Sequence, residues 1–460
     1  MEEAMATPHA LVIPIPGYSH IIRLMELSYM LAERGFKITF VNTEFIHEQV
    51  MKALPEDYSN VKNPINLVSI PDGMGPGEDR NQIVRFLECI SSTMPSYLEE
   101  LIEKMNKSSK DKITCIIADE NMGWAVTVAK KMGIPQAAFS PTNACLQALF
   151  LRLPQLIAAG VLDANGKTLK QEMIQLSSTL PVMDTARLPW HCVNDPMLQQ
   201  IMFQEALKNN QEVKDADWHL CNSFYEIEPS AYQLNPKLLP IGPLLAGSRQ
   251  RQLVVSFWPE DSTCLNWLNQ QPACSVIYVA FGSIAVLDQT QFHELALGLE
   301  LTGYRFLWVV RPNLTAGQAA IYPDGFQARV AARGSIISWA PQQKVLAHPS
   351  IACFLTHCGW NSTMEGLSMG VPFLCWPYFA DQFLNQAYIS DIWKVGLRLN
   401  SDDKGIVSRE EIKKKVEEVL GDEKIRERVL VLKEMAKKSV REGGSSMKNL
   451  NNFVEAMKGK

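Results

Sequence analysis

The chain has 460 residues, of which 47% are hydrophobic and 20% are charged, and its formal net charge is -5 at pH 7. This length suits two or three domains with separate cores, and the composition excludes a disordered or fibrous protein. The charge excludes a broad basic surface for nucleic acid or an anionic membrane. No run reaches the ~20 apolar residues of a membrane-spanning helix, and the acidic residues 1–5 lack the basic region of a secretory signal. We expect a cytoplasmic protein, monomeric by default, with no nucleic-acid partner and no stable membrane insertion.

Apolar runs alternate with helical patterns through the first third of the chain. Residues 10–15 predict a strand, and residues 21–34 repeat apolar side chains at helical spacing until Gly35 ends the pattern. Further strands are predicted at 37–42, 65–70 and 113–118, with a helical stretch over 82–107 between the last two. Strands separated by helices indicate a parallel sheet that is covered on both faces.

The same alternation begins again after residue 260. Residues 275–280 form a continuous run of β-branched and aromatic side chains, which is typical of a buried central strand. Strands at 306–310, 335–338, 351–356 and 372–375 follow, with helices at 291–301 and 362–369. The sequence therefore predicts two doubly wound α/β domains, at 1–243 and 257–440. We expect a linker at 244–256, where proline, glycine and polar residues concentrate, and a C-terminal helix at 441–460 that packs back on the first domain.

Ten cysteines are scattered along the chain, which argues against a disulfide framework. Cys353 and Cys358 flank His357 closely enough to suggest a metal site. No second cluster with zinc-finger spacing exists in the sequence, and both cysteines border an apolar run. We interpret them as buried thiols and expect no metal and no resident cofactor.

Two doubly wound domains also occur in dinucleotide-dependent oxidoreductases. The nearest match to their glycine fingerprint is Gly73-Met-Gly75-Pro-Gly77, where Glu78 stands in place of the third glycine. No helix pattern opens on the last glycine, so a loop is the better interpretation.

The segment around Gly359 carries a stronger signal. An apolar strand runs into Gly359, and the next helix begins near Asn361 and Ser362, which are good N-terminal residues. The free N–H groups and positive dipole of a helix start suit a phosphate, and His357 stands beside them. Glu365 lies one turn along the same face, where a carboxylate can accept two ribose hydroxyls. An ordinary capped helix with a satisfied histidine fits this turn equally well.

The flanks of this turn decide between the two interpretations. Upstream, Trp339 ends a strand with an indole that can stack on a flat base, and Ala340 offers its backbone to the base edge. Downstream, Asp381 and Gln382 pair a carboxylate with an amide, as sugar hydroxyls require. Residues 339–382 as a whole closely resemble the donor-binding box of the plant family 1 UDP-dependent glycosyltransferases of secondary metabolism. The resemblance extends from the Pro16-Gly-x-x-His20 turn to the C-terminal helix.

That resemblance implies a GT-B fold, in which two Rossmann-like domains face a cleft and bind the acceptor and the UDP-sugar. It implies that Trp339 stacks on uracil, that Ala340 pairs with its edge, and that Gln342 and Glu365 hold the ribose. Four residues would hold the diphosphate: Ser283, His357, Asn361 and Ser362. Three would hold the sugar: Trp360, Asp381 and Gln382. Tryptophan at 360 and glutamine at 382 favour UDP-glucose as the donor within the family.

Catalysis requires a base for the acceptor hydroxyl, and His20 is the candidate. It follows the first strand at the start of the first helix, and a histidine near its ordinary pKa of ~6.5 takes up a proton at neutral pH. Asp119 closes another strand at the same edge of the sheet, where it can fix the tautomer of His20. The family assigns these two roles to the matching positions. Asp119 by itself also suits an N-cap for a helix that begins near Met122.

The resemblance predicts a β-glucoside formed with inversion on a hydroxyl of a small molecule. The acceptor pocket is expected from residues 84–94, 141–153 and 190–203, whose apolar side chains suit a flavonoid, another phenolic or a terpenoid. Two positions depart from the family pattern: Ser19 replaces a glycine and Arg23 replaces a proline. The alternatives are a non-catalytic nucleotide-sugar-binding protein, which the His20 and Asp119 pair disfavours, and an NAD-dependent oxidoreductase, which lacks the fingerprint.

Overall fold

The computed structural model describes residues 7–53, 64–108, 112–191, 195–245, 262–312, 314–315 and 321–458. The chain divides into two compact units. One takes its described residues from 1–171, 193–257 and 439–460, and the other from 172–192 and 258–438. The predicted linker at 244–256 lies outside the described residues, except for its first two positions.

Helices and strands alternate along most of the chain. In chain order, the strands are β1 (His9–Ile13), β2 (Lys37–Thr43), β3 (Ile65–Ile70), β4 (Cys115–Asp119), β5 (Gln136–Ser140), β6 (Met173–Ile174), β7 (Met183–Asp184), β8 (Trp218–Cys221), β9 (Leu238–Pro240), β10 (Val276–Ala280), β11 (Arg305–Val309), β12 (Gly334–Ile337), β13 (Ile351–Thr356), β14 (Phe373–Cys375) and β15 (Gly396–Arg398). The helices are α1 (Tyr18–Ala32), α2 (Glu44–Ala53), α3 (Ile83–Asn106), α4 (Gly123–Lys131), α5 (Ala144–Ala158), α6 (Pro196–Val213), α7 (Pro229–Leu234), α8 (Thr263–Leu268), α9 (Gln289–Thr302), α10 (Phe326–Val330), α11 (Gln342–Leu346), α12 (Trp360–Met369), α13 (Gln382–Ala387), α14 (Arg409–Gly421), α15 (Glu423–Val440) and α16 (Ser445–Lys458).

Each unit is built on its own parallel sheet. The described strands of the first unit pair in the order β3-β2-β1-β4-β5-β8-β9, and those of the second in the order β12-β11-β10-β13-β14-β15. Both orders reverse direction beside the first strand of the unit, as in doubly wound folds that bind ligands at the carboxyl ends of their strands. The short strands β6 and β7 form a separate antiparallel pair. The predicted pair of parallel-sheet α/β domains is confirmed.

The central strands are buried on both sides, which explains their unbroken apolar sequences. Every residue of β1 and of β10 is buried. In the first unit, the last helix completes the core, because Leu450, Phe453 and Val454 of α16 pack with residues of α1, β1 and β2. The indole of Trp218 meets the ring of Phe453 edge-on at 5.6 Å.

Some element boundaries differ from the predicted ones for local reasons. The first strand ends at Ile13 rather than residue 15, because Pro14 has no N–H to donate to a neighbouring strand. The helix α12 begins at Trp360, two residues before the predicted start, because Gly359 serves as its N-cap.

Candidate active site

The first group of predicted site residues lies at the carboxyl edge of the first sheet. Strands β1 and β4 are parallel neighbours, with Ile13 opposite Ala118. The chain after β1 turns at Gly17 into α1, so His20 falls in the first turn of that helix. Because β4 ends at Asp119, the topology places both side chains at one edge of the sheet.

His20 and Asp119 are directly hydrogen-bonded. The distance from His20 Nδ1 to Asp119 Oδ2 is 2.7 Å. The carboxylate is fully buried, whereas 24% of the imidazole is exposed. Since a carboxylate accepts, Nδ1 carries the hydrogen, and the lone pair of the neutral ring is on Nε2. The other carboxylate oxygen, Oδ1, accepts from the backbone N–H of Asn121 at 3.0 Å. Asp119 therefore both caps the short 3₁₀ turn that follows β4 and orients His20.

Glu120, the residue after Asp119, was missed at the sequence level. Its Oε1 accepts from the hydroxyl of Ser140 at 3.0 Å and, at 3.4 Å, from that of Thr142. Burial and, to a smaller extent, the charge of Asp119 raise the pKa of Glu120 to about 8, although hydrogen bonds with Ser140, Thr142 and Gln147 oppose the shift. The only signal in the sequence was a second acidic residue beside a predicted catalytic one.

Arg23, which stands where the family pattern has a proline, makes a buried hydrogen bond in the first unit. Its side chain is only 3% exposed and donates from Nη1 to the backbone carbonyl of Leu244. The guanidinium is therefore committed to the interior of the first unit, near the chain segment that leaves β9.

In the second unit, the strands β10 and β13 bring two turns together. Ala280 lies opposite Thr356, so the Gly282-Ser283 turn and His357 meet at one edge of the sheet. A Cβ on Gly282 would stand 2.7 Å from Cε1 of the His357 ring, and a Cβ on Gly359 would stand 2.5 Å from its Nε2. Gly282 also has a φ of +66°. Both glycines are required for the ring to lie between the two turns.

His357 is neutral at physiological pH in the unliganded protein. Burial lowers its pKa to about 4, and the positive charge of Arg311 contributes, while a hydrogen bond to the Ala280 carbonyl opposes the shift. Arg311 is 3% exposed and donates from Nε to the carbonyl of Gly282 at 3.0 Å and from Nη2 to that of Ala285. A buried cation thus fastens the turn that carries Ser283. Sequence reasoning overlooked Arg311.

The predicted ribose-binding pair, Gln342 and Glu365, forms a buried network. Gln342 Nε2 donates to Glu365 Oε2 at 2.7 Å and to Ser362 Oγ at 3.0 Å. Gln343 Nε2 donates to the other oxygen of Glu365 at 3.0 Å. The hydroxyl of Tyr278 donates to Gln342 Oε1 at 3.2 Å. Tyr278 was not predicted as a site residue, and it fixes which way the Gln342 amide points.

The predicted base-binding residues follow β12. Trp339 and Ala340 are 8% and 7% exposed, and they precede α11, which begins at Gln342. The same strand-to-helix connection therefore carries the indole and the first member of the ribose network.

The predicted sugar-binding residues lie around the start of α13. Asp381 Oδ2 accepts from Nδ2 of Asn385 at 2.9 Å, and the same amide donates to the carbonyl of Cys358 at 2.9 Å. Gln382 Oε1 accepts from the backbone N–H of Tyr378 at 2.7 Å, which turns its Nε2 away from that loop. Asn385, also missed, ties Asp381 to the turn before α12. The Trp360 ring is 3% exposed and lies 6.2 Å from the Trp393 ring, so a sugar would meet Trp360 through its backbone.

The cysteines beside His357 are buried thiols. Cys353 and Cys358 are both 0% exposed, and burial raises the pKa of Cys353 to about 12. Among the residues that the structure describes, no group of three or more His, Cys, Asp or Glu side chains is placed to hold a metal ion.

Comparison with known proteins identifies the family. The family model for UDP-glucuronosyl and UDP-glucosyl transferases matches residues 9–441. The chain is 44% identical over 468 residues to UDP-glycosyltransferase 83A1 of Arabidopsis thaliana, an alignment that covers 99% of this chain and 97% of that protein. The chain belongs to the UDP-glycosyltransferase family. This glycosyltransferase is also 33% identical over 479 residues to 7-deoxyloganetin glucosyltransferase of Catharanthus roseus, with 98% and 97% coverage.

Solved structures of plant glycosyltransferases share the fold. Os79 from O. sativa, in complex with UDP, matches with a TM-score of 0.82 at 27% identity, covering 97% of this chain and 100% of that one. UGT2 of Phytolacca americana, in complex with UDP-2-fluoro-glucose and pterostilbene, matches with a TM-score of 0.80 at 28% identity, covering 99% and 100%. The predicted GT-B fold class and the prediction of a plant family 1 enzyme that uses a UDP-sugar and a small-molecule acceptor are confirmed. The described helices include none that is long and apolar enough to cross a bilayer.

Proposed function

We propose that this enzyme is an inverting UDP-glucosyltransferase that forms a β-glucoside on a hydroxyl of a small apolar aglycone. The observation that carries the proposal is the 2.7 Å hydrogen bond from His20 Nδ1 to the buried carboxylate of Asp119. This arrangement is that of a general base and its orienting acid. A protein that only bound a nucleotide-sugar would have no use for it.

His20 is proposed to act through Nε2. Its lone pair takes the proton of the acceptor hydroxyl while the acceptor oxygen attacks C1 of the sugar. The bond from C1 to the phosphate oxygen breaks, and UDP leaves with the electron pair. Asp119 stabilises the imidazolium that forms, because its charge is buried and hydrogen-bonded to Nδ1–H. Attack opposite the leaving group converts an α-linked donor to a β-linked product.

The second unit is proposed to hold the donor. The first turn of α12, with Asn361 and Ser362, presents backbone N–H groups to the diphosphate, and His357 and Ser283 add donors beside it. Trp339 and Ala340 would bind uracil, and Glu365, held by two glutamine amides, would accept the ribose hydroxyls. These neutral donors and the nearby charge of Arg311 suit the departing diphosphate, so we propose that transfer needs no metal ion.

Glucose is the proposed sugar. Asp381 and the Nε2 group of Gln382 lie at the start of one short helix and offer an acceptor and a donor to neighbouring hydroxyls. A relative supports the same choice, since the Catharanthus roseus protein is a glucosyltransferase by name. Flavonoids, other phenolics and terpenoids are the proposed acceptors, and we expect the enzyme to act as a cytoplasmic monomer.

Product stereochemistry tests the proposal. The purified enzyme is incubated without added metal, with excess chelator, and with UDP-glucose and a panel of phenolic and terpenoid alcohols. We expect products of one added hexose, with a β-anomeric proton coupling in the NMR spectrum. UDP-galactose and UDP-glucuronate are the control donors. An α-glucoside would overturn the inverting mechanism, and transfer from a control donor in preference to UDP-glucose would overturn the choice of sugar.

A further inference from the structure

Asn385, on α13, is fully buried, and its amide joins two turns of the second unit. Its Nδ2 donates to Asp381 Oδ2 at 2.9 Å and to the backbone carbonyl of Cys358 at 2.9 Å. A carboxylate and a backbone carbonyl only accept hydrogen bonds, so the nitrogen of the amide, and not its oxygen, faces both partners. One side chain therefore bridges the turn before α12 and the start of α13.

Each of the two bridged turns contains a residue with a left-handed backbone. Cys358 has a φ of +63°, and Ala380, which precedes Asp381, has a φ of +54°. Neither residue is a glycine, so each conformation is unfavourable by itself and persists only where surrounding contacts hold it. The N–H of Cys358 donates to Thr356 Oγ1 at 3.2 Å, and its carbonyl accepts from Asn385. The Asn385 amide is thus one of the contacts that hold this strained turn.

Each turn also presents a group that is proposed to hold the donor. Gly359, directly after Cys358, is the N-cap of α12, whose first turn is proposed to bind the diphosphate. Asp381, the N-cap residue of α13, is proposed to bind the sugar. The hydrogen bond from Asn385 restricts the orientation of its carboxylate. A change in the Asn385 amide therefore disturbs both the diphosphate site and the sugar site.

We propose that Asn385 is a positioning residue that couples the sugar site of the donor to its diphosphate site. The affinity for the glucose of UDP-glucose then depends on a buried amide that touches neither the sugar nor the diphosphate. This inference rests on the proposed function, since it assumes that Asp381 binds the sugar and that the start of α12 binds the diphosphate.

Neighbouring polar side chains support one turn each. Gln382 Oε1 accepts from the backbone N–H of Tyr378 at 2.7 Å, which orders the loop before α13. Thr363 Oγ1 donates to the carbonyl of Gly359 at 3.1 Å, which closes the first turn of α12. Neither of these two contacts joins the turns, whereas the contacts of Asn385 do.

Calorimetric titration with UDP and with UDP-glucose tests the coupling, and the ratio of the two Kd values isolates the contribution of glucose. Asn385→Ala should weaken UDP binding by about two- to tenfold, the range of one neutral hydrogen bond, and should weaken UDP-glucose binding by a further factor of about three to ten. Asp381→Ala should cause a similar loss for glucose but keep the Kd for UDP within about twofold.

The double variant separates coupling from a general packing effect. Because Asn385 is proposed to act on the sugar through Asp381, adding Asn385→Ala to Asp381→Ala should weaken UDP binding but cause no further loss for glucose. Gln386→Ala is the matched control. It removes another buried amide of α13, one that has no hydrogen bond to Asp381 or Cys358 in the described part of the chain, and it should keep the Kd ratio.

Asn385→Asp is a second variant of the same size, which cannot donate to either partner when it is ionised, and it should lower the affinities in the same direction as Asn385→Ala. Thermal unfolding shows whether each variant is folded. If neither is, the wild type labelled with 15N at asparagine decides. The side-chain amide resonance of Asn385 should shift with UDP and shift further with UDP-glucose, and a resonance that gives no further shift with UDP-glucose would overturn the proposal.

The calorimetric outcomes also distinguish two kinds of failure. An unchanged Kd ratio in folded Asn385→Ala, or a further loss for glucose when it is added to Asp381→Ala, would overturn the coupling while leaving the proposed sugar site intact. An unchanged ratio in Asp381→Ala itself would show instead that the proposed sugar site is wrong, and the coupling would fall with it.

Discussion

Asp119 shows how one side chain serves both the fold and the site. One oxygen caps the turn after β4, and the other holds the imidazole of His20. The sequence left these two uses as alternatives, and the structure has both. Because the carboxylate is fully buried, its charge is available to stabilise an imidazolium without screening by water.

At the same scale, the proposed role of His357 would couple the binding of UDP-glucose to the uptake of a proton. In the unliganded protein its pKa is about 4, so it is neutral at pH 7. A diphosphate beside it would raise that pKa. Affinity for UDP-glucose should therefore rise as pH falls from about 7.5 to about 5.5, by up to about tenfold, because the liganded state binds the proton more tightly than the free state. Calorimetry in buffers of different ionisation enthalpy would measure the accompanying proton uptake.

His357→Gln is the matched control for this linkage, since its amide still donates but does not titrate. We expect the variant to bind UDP-glucose with an affinity that changes little over the same pH range and with no linked proton uptake. The same pH slope in the variant and the wild type would assign the proton to another group.

At the scale of the element, the proposed donor site depends on connections between strands and helices. Tyr278 lies in the middle of the buried strand β10. Its ring stacks on that of Phe354 in β13, with the ring centroids 5.0 Å apart. Its hydroxyl reaches Gln342 at the start of α11, and Gln342 in turn reaches Glu365 in α12. Tyr278 is thus a positioning residue for the ribose network, although no ligand would touch it.

Tyr278→Phe should weaken UDP binding by about 0.5–1.5 kcal/mol, or roughly two- to tenfold, the net value of one neutral hydrogen bond. The loss should be specific to the ribose, so binding of 2′-deoxy-UDP should change little. Calorimetric titration of both nucleotides measures the difference. Phe354→Leu, which alters the stacking partner but no hydrogen bond, is the control. An equal loss for UDP and 2′-deoxy-UDP would show a general packing effect instead.

Many of the strands and helices could be predicted from the sequence. The strands at 65–70 and 351–356 have the predicted bounds. For 351–356 the reason is that a continuous apolar run marks a strand that is buried on both faces. No comparable apolar pattern marks β8 and β9, which are short and carry polar or proline residues. Tyr278 and Arg311 were missed for another reason: their side chains meet the site through strand order, which apolar patterns along one segment do not encode.

At the scale of the whole molecule, the residues proposed for donor binding and those proposed for catalysis lie in different units. The residues of the donor box, from Trp339 to Gln382, belong to the second unit, and both members of the proposed catalytic pair belong to the first. The box was recognisable because its residues are close together in sequence. The contact between Glu120 and Ser140 was not, because these residues are separated in sequence and only the parallel pairing of β4 and β5 brings them together.

This division makes turnover and donor binding separable, and His20→Ala is the most direct test. We expect kcat/KM for transfer from UDP-glucose to fall by about 10²–10⁴-fold, the usual contribution of a general base, while the Kd for UDP stays within about twofold of the wild-type value. His293→Ala, a change at a histidine of α9 that bonds only to a loop carbonyl among the described contacts, is the control and should keep both values. Near-normal turnover by His20→Ala with an intact UDP site would contradict the account.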